Sequence, residues 1–171
     1  HTVCPGHDMG VGHAEPKRSI TFCIFNSVAI GAQNAHAAHG LKRVAVVDLD
    51  LHQDNGTQAA FWDDGDLFYG STHQMPQYPA GAASERGADN IHNFPWSQVQ
   101  REVIFKPPSP DKFEPKLFLI SAGFKAHADD PLAQPRLDMD DYAWINRELL
   151  TVAARRCDGR LVSSLEGGYD L

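Results

Sequence analysis

Long apolar runs are absent from this chain, and cysteine is scarce. No stretch approaches the ~20 apolar residues of a membrane-spanning helix, and the first residues lack the basic start and apolar centre of a secretory signal. Cys4, Cys23 and Cys157 are an odd, widely spaced set in 171 residues, with no CxxC pair. They read as reduced thiols, and the expected localisation is cytoplasmic. An excess of basic charge is missing too. Fifteen Lys and Arg against 22 Asp and Glu give a formal charge of -7, where a nucleic-acid backbone binder would normally carry a basic stripe. No internal repeat or low-complexity segment occurs.

What remains describes one globular domain over residues 1–171. With 42% hydrophobic residues the chain can bury a sizeable core. Nine histidines are more than a chain of this size needs, a pointer to metal or acid–base chemistry.

The most informative segment joins the apolar run Val44-Ala45-Val46-Val47 to Asp48-Leu49-Asp50-Leu51-His52. The run reads as a buried strand of a parallel sheet. Acids and a histidine at its C-terminal end stand where open α/β sheets place ligand sites. Asp50 and His52 are two residues apart, so on an extended chain they point the same way, with Asp48 one step deeper. A carboxylate and an imidazole converging like this make half of a first-row metal site. The competing reading is a charged strand end in solvent.

Along the chain, residues 1–19 read as loop. A helix is predicted from Asn26 to His39 with Val28, Ala29, Ala32 and Ala35 on one face, and Gly40 suits its C-terminal cap. Val44–Asp48 is the first strand, Gly56–Trp62 a short helix and Leu67–Gly70 the second strand. Residues 74–98 read as a long functional loop. Leu117–Ser121 is the third strand, Asp138–Arg156 the longest helix and Leu161–Leu165 the fourth strand. Strands separated by helices imply crossovers and a parallel sheet. Polar residues then gather at the strand ends: Asp48–His52, Ser71–His73 and Ala122–Lys125, with Tyr169 after the fourth strand. His73 reads as a packed, hydrogen-bonded core histidine, His92 and His127 as loop residues, and Trp62, Trp96 and Trp144 as packing residues.

The strings VAVVDLDLHQDNGTQAAF, LFYGSTHQ, LFLISAGFKAHADDPLA and LEGGYDL, in that order, resemble the zinc-dependent deacetylases. These comprise histone deacetylases, acetylpolyamine amidohydrolases and bacterial acetoin-utilisation proteins. TFCIFNSVAIGA resembles the family's GFC-x-x-N helix start, with Thr21 for its glycine. The likeness covers roughly residues 13 to 171. It implies a three-layer α/β/α fold with a central, mostly parallel sheet, truncated at both ends relative to the family. It also implies removal of acetyl groups from acetyl-lysine or acetylpolyamines. Carried over by position, Asp50 and His52 match two of three zinc ligands. Asp48, Ser71 and Thr72, with the carbonyls of Asp50 and His52, match an inner site for K+ or Na+. Phe22 matches a wall of the acyl-lysine tunnel, and Gly167 and Gly168 let backbone approach the site. Tyr169 matches the tyrosine that polarises the scissile carbonyl. His13 stands ten residues before Cys23, the family's spacing for the second histidine of its catalytic pair, and Asn55 falls on that histidine's hydrogen-bond partner. In such a site zinc polarises the amide and acidifies a bound water, histidine moves the proton, and tyrosine donates to the oxyanion.

Three departures from the family pattern stand out. Lys125 replaces the aspartate that is the third zinc ligand, and a cationic amine cannot coordinate. Gly12 precedes His13 where the family has a first histidine. Three alignments stay open at that point. His13 is the second histidine alone; His7, in Cys4-Pro5-Gly6-His7, is the first histidine followed by an insertion; or His7–His13 is the family's N-terminal HDxGxGH motif and His13 is not the base. Last, family members have more strands before the pair and more chain after Gly-Gly-Tyr. Sheet edges left open by missing strands would be covered by another copy of the chain, so a homo-oligomer is expected. The resemblance thus implies a zinc amidohydrolase, with an inactive deacetylase-fold fragment or pseudoenzyme as the alternative. An arginase-type hydrolase would need two metals and more carboxylates than these residues supply.

Overall fold

A computed structural model describes residues 3–4, 11–20, 23–76, 78–79, 89–96, 112–131 and 137–169. Six strands form one sheet: β1 Val3–Cys4, β2 Val44–Asp48, β3 Leu67–Gln74, β4 Ile91–Trp96, β5 Leu117–Gly123 and β6 Leu161–Gly167. Their spatial order is β1-β6-β5-β2-β3-β4, and every neighbouring pair is parallel. The α/β class and parallel sheet expected from the sequence are therefore present. From β2 the chain moves outward to β3 and β4, then returns to the other side of β2 with β5. The crevice beyond the C-terminal ends of β2 and β5 is thus a topological switch point.

The helices are α1 Ser27–His39, α2 Asn55–Phe61 and α3 Met139–Cys157. Asn26 caps α1, its Oδ1 accepting from Ala29 N at 2.8 Å. Gly40 closes it in the left-handed region at φ 63°. Asp138 and Asp141 form a capping box on α3. Ile145, Leu149, Ala153 and Cys157, each four residues apart, make the buried stripe of α3.

Strand alternation sends the two faces of β2 to different layers. Val44 and Val46 pack with Val28, Ala32 and Phe61 of α1 and α2. Ala45 and Val47 pack with Ile145, Leu149 and Ala153 of α3. Helices on both faces explain why all five residues of β2 are buried. No helix among the described residues is long and apolar enough to cross a membrane.

Several elements differ from the sequence reading. The segment 74–98, read as loop, contains β4, and His92 lies in that strand with its ring stacked on Phe68 at 5.1 Å. Residues 1–19 include β1 and a 3-10 turn, Val11–His13. β3 runs on to Gln74, because Ser71–Gln74 stay paired with β4 and buried. β6 continues to Gly167. Trp144, read as packing, is 40% exposed on the outside of α3. Asn90 joins α2 to β3: its Nδ2 donates toward the carbonyls of Phe61 (3.1 Å), Asp64 (2.8 Å) and Leu67 (2.6 Å).

Candidate active site

Four strands deliver the site. Asp48 ends β2, Asp50 and His52 follow it, Ser71 and Thr72 lie in β3, Lys125 follows β5 and Tyr169 follows β6. The structure places these sequence-predicted residues at one end of the sheet, as parallel register requires, with Asp48 paired to both Ser71 and Ser121. Phe22 and His7 lie outside the described residues.

His13 is buried and its Nδ1 meets Asn55 Oδ1 at 2.9 Å. An amide oxygen only accepts, so Nδ1 carries the ring proton and Nε2 keeps the lone pair of a base. Asn55 Nδ2 reaches Glu15 Oε1 at 3.4 Å, which fixes the amide's orientation. The His13 ring lies edge-on to His52 at 6.5 Å and to Tyr78 at 5.1 Å. Tyr78 was missed in the sequence; an aromatic between prolines in the segment after Ser71–Gln74 was the available signal.

Asp50 is the electrostatic centre. Its Oδ1 accepts from His52 N at 2.8 Å and from the Lys125 ammonium at 2.9 Å, with both side chains almost wholly buried. His52 Nδ1 lies 3.5 Å from the same oxygen. Burial alone would push the Asp50 carboxyl upward, but His52 and the Lys125 cation outweigh it and hold the group below its usual range. Burial likewise would lower the Lys125 amine, but attraction to Asp50 dominates and keeps it an ammonium. Asp50 Oδ2 has no hydrogen-bond partner and faces Gly123, where a Cβ would fall on it. Glycine at 123 is what lets the carboxylate and β5 come together.

Three further carboxyls lie behind this pair. Asp48 Oδ2 accepts from Tyr69 OH at 2.6 Å, Ser71 Oγ at 2.9 Å and Asp54 N at 3.0 Å, and Oδ1 accepts from Asp50 N at 2.9 Å. Asp54 Oδ2 accepts from Ser121 Oγ at 2.7 Å. Burial and neighbouring acids push Asp48 and Glu166 well up, and burial raises Asp54. Asp50 is therefore the carboxylate held ionised, and one ammonium balances it. Asp54 also fills the space in front of Gly12, where a Cβ would overlap its carboxyl. The site thus has no room for a histidine at position 12 while Asp54 keeps this position. Sequence reading noted the missing histidine but not the carboxyl that fills its place.

Gly167 and Gly168 adopt φ of 144° and 138°, a region that L side chains avoid. A Cβ at Gly167 would stand 3.3 Å from Lys125 Cε, and one at Gly168 3.0 Å from Phe124 Cβ. Both glycines therefore let the β6 end pass close to Lys125 and Phe124. Tyr169 N donates to Asp130 Oδ2 at 2.7 Å, which anchors the backbone there. His73 is buried, its Nδ1 3.0 Å from Ser71 Oγ, as expected for a core histidine, and burial lowers its pKa to about 4.

A zinc ion here would need three protein donors. Asp50 and His52 are suitable ligands, and Asp50 retains an unpartnered oxygen. The third position holds a cation fixed on the same carboxylate. A dication about 4 Å from that ammonium would be repelled by of order 8 kcal/mol at an effective dielectric of 20. That rivals the whole binding energy of a structural zinc, roughly 10–16 kcal/mol. With Lys125 in this place the residues do not fit a zinc ion.

Comparison with known proteins bears on the origin of this arrangement. A family model described as the histone deacetylase domain matches residues 3–171. Histone deacetylase 14, chloroplastic, of Arabidopsis thaliana is 38% identical over 98% of this chain and 41% of its own length. A histone deacetylase-like amidohydrolase of Pseudomonas aeruginosa is 33% identical over 96% of this chain and 46% of its own. Among solved structures, the acetylpolyamine aminohydrolase from Burkholderia pseudomallei superposes with a TM-score of 0.79 at 31% identity, over 94% of this chain and 49% of that one. The HD domain of HDA15 gives a TM-score of 0.79 at 31% identity, over 95% and 50%. The chain spans 41–50% of the length of these four relatives. With the ordered strand-end motifs, the parallel sheet and a family match over nearly its whole length, the chain belongs to the histone deacetylase family.

Proposed function

We propose that this chain carries a deacetylase-type site for acetylated amines, an acetyl-lysine or acetylpolyamine, whose metal position Lys125 has closed. In this reading it recognises such a ligand without hydrolysing it. The observation that carries the proposal is the buried 2.9 Å contact of Lys125 Nζ with Asp50 Oδ1.

The remaining residues have roles consistent with that ancestry. His13, with Nδ1 held by Asn55, presents Nε2 for proton transfer. Tyr169, its backbone tied to Asp130, is the hydroxyl donor for an acyl oxygen. Gly167 and Gly168 allow the ligand close to the backbone, and Phe22 is assigned to the tunnel wall. Without a Lewis acid to activate water, these groups offer binding and proton placement but no strong nucleophile.

The decisive experiment is a zinc titration of the whole chain, the Lys125→Asp variant and the double variant Lys125→Asp/His52→Ala. The proposal expects the Asp variant to gain a zinc-binding event of at least ~100-fold higher affinity, lost again in the double variant. Acetyl-lysine peptide or acetylpolyamine hydrolysis would then be sought in Lys125→Asp. Zinc held through His52 in the unaltered chain, with no gain from aspartate, would overturn the reading. Two finer elements belong with it. Asp48, Ser71 and Thr72 are proposed to take K+ or Na+, and a thermal midpoint indifferent to potassium would remove that element. The homo-oligomer is carried in the same way, and a monomer by light scattering at micromolar concentration would remove it.

A further inference from the structure

The opposite end of the sheet carries a second group of ligand-type side chains. His36 lies in the last turn of α1, while Asp64 and Asp66 flank Gly65 in the turn that feeds β3. Donor atoms of the three lie within 4.8 Å of one another, and all three residues are half-buried. Among the described residues this is the one His/Cys/Asp/Glu group so arranged. It shares no residue with the Asp50–Lys125 site.

The donors are held in place by their neighbours. His36 Nδ1 lies 3.1 Å from the carbonyl of Leu41, which is outside the group. A carbonyl only accepts, so Nδ1 carries the proton and Nε2 keeps its lone pair. Metal-binding histidines are commonly oriented by this kind of bond. The acidic turn is held by Asn90 through the carbonyls of Phe61, Asp64 and Leu67, so the two aspartates stand on a fixed backbone. An open depression of about 330 Å³, lined by Gly40, Leu41, Lys42, Arg43, Asp66 and Lys116, reaches Asp66 from solvent. The nearby Arg43 guanidinium is paired with Glu114 at 3.1 Å.

We propose that His36, Asp64 and Asp66 bind one first-row divalent cation of the zinc class, with water completing its shell. One imidazole and two carboxylates suit a borderline ion better than magnesium or calcium, which favour oxygen alone. Bonds of about 2.1 Å in a tetrahedral shell place donors about 3.4 Å apart. The three side chains, whose donors lie within 4.8 Å of one another, therefore close by up to about 1.4 Å on binding through rotamer changes. The site does not depend on the reading of Lys125.

The test uses the full chain, freed of metal with chelator and titrated with Zn2+ by calorimetry and with Co2+ by visible absorption. One ion per chain is expected, with affinity reduced at least tenfold in His36→Ala and in Asp66→Asn. His39→Ala, altering an exposed histidine of the same turn, should bind as the unaltered chain does. Circular dichroism melts confirm that each variant is folded, and Asp64→Asn replaces any that is not. No saturable binding, or binding undiminished in the folded His36 and Asp66 variants, would overturn the proposal. A second ion that appears only with Lys125→Asp and persists with His36→Ala reports the strand-end site instead, so the two readings fail separately.

Discussion

At His13 the imidazole meets Asn55 at 2.9 Å, and Asn55 is itself oriented by Glu15. At Asp50, on the other side of the same crevice, the acid that the family pattern supplies at position 125 is an ammonium. In the first half a donor faces an acceptor. The second keeps its positions but reverses one charge. Hydrogen-bonded shape survives a changed partner as long as each donor finds an acceptor. A metal position does not, because its occupancy depends on the sum of nearby charge. The sharpest way to break the comparison is therefore the Lys125→Asp titration. If charge alone separates the two halves, this substitution has the largest effect of any described, a gain of two orders of magnitude or more in zinc affinity.

The next effect concerns steric fit rather than charge. Gly12 faces Asp54 so closely that a Cβ would overlap the carboxyl. Gly12→Ala should cost about 3 kcal/mol, at the upper end for overpacking, read from the urea midpoint. Combining it with Asp54→Gly should recover most of that loss, a coupling that distant sites do not have. Additive losses would mean that Asp54 moves aside freely and that the missing histidine and the added carboxyl are unrelated.

A third histidine separates charge from position by pH. His73 is buried, and burial holds its pKa at about 4 against an ordinary 6.5. Between these values the unfolded chain binds the proton and the folded chain does not, so stability falls as the pH drops through this window. The full contribution is present above pH 6.5 and about 3 kcal/mol is lost by pH 4. Buried carboxyls with raised pKa values, such as Glu166, act in the opposite direction. The informative quantity is therefore the difference between the chain and His73→Gln. The variant should lack this part of the acid sensitivity; identical pH curves would place the sensitivity elsewhere.

Much of this arrangement is legible in the sequence, for local reasons. α1 begins at an asparagine cap and ends at a glycine that can adopt positive φ, and both are visible as residue types. β2 is a short β-branched run buried on both faces. β4 is not legible, because Ile91–Trp96 includes His92, Asn93 and Pro95 and alternates weakly. It is an edge strand whose conformation is set by pairing with β3, a tertiary cause. In the site, residues on strand ends were found by position, since a parallel sheet brings all such ends together. Asp54, Tyr78 and Asp130 were not assigned, because each acts through a neighbour distant in sequence: Gly12, His13 and Tyr169. Such contacts arise only once the strands are in register.

The smallest effect tests the half of the site that kept its pattern. Asn55→Ala removes the acceptor of the His13 Nδ1 proton in a place where His13 is 7% exposed. A buried donor without a partner costs about 1–2 kcal/mol, so the thermal midpoint should fall by a few degrees. Asn55→Asp should restore or exceed the original stability, because a carboxylate accepts the same bond with charge assistance. In the Lys125→Asp background the two variants should separate further. Alanine frees the imidazole to rotate and exchange tautomers, which lowers any hydrolysis rate, while aspartate retains the orientation that leaves Nε2 as the base. If alanine and aspartate behaved alike, His13 would be held by packing against Tyr78 and His52, and the apparent proton-transfer pair would be a structural contact. The two halves of the crevice would then have lost their catalytic character together, one by charge and the other by use.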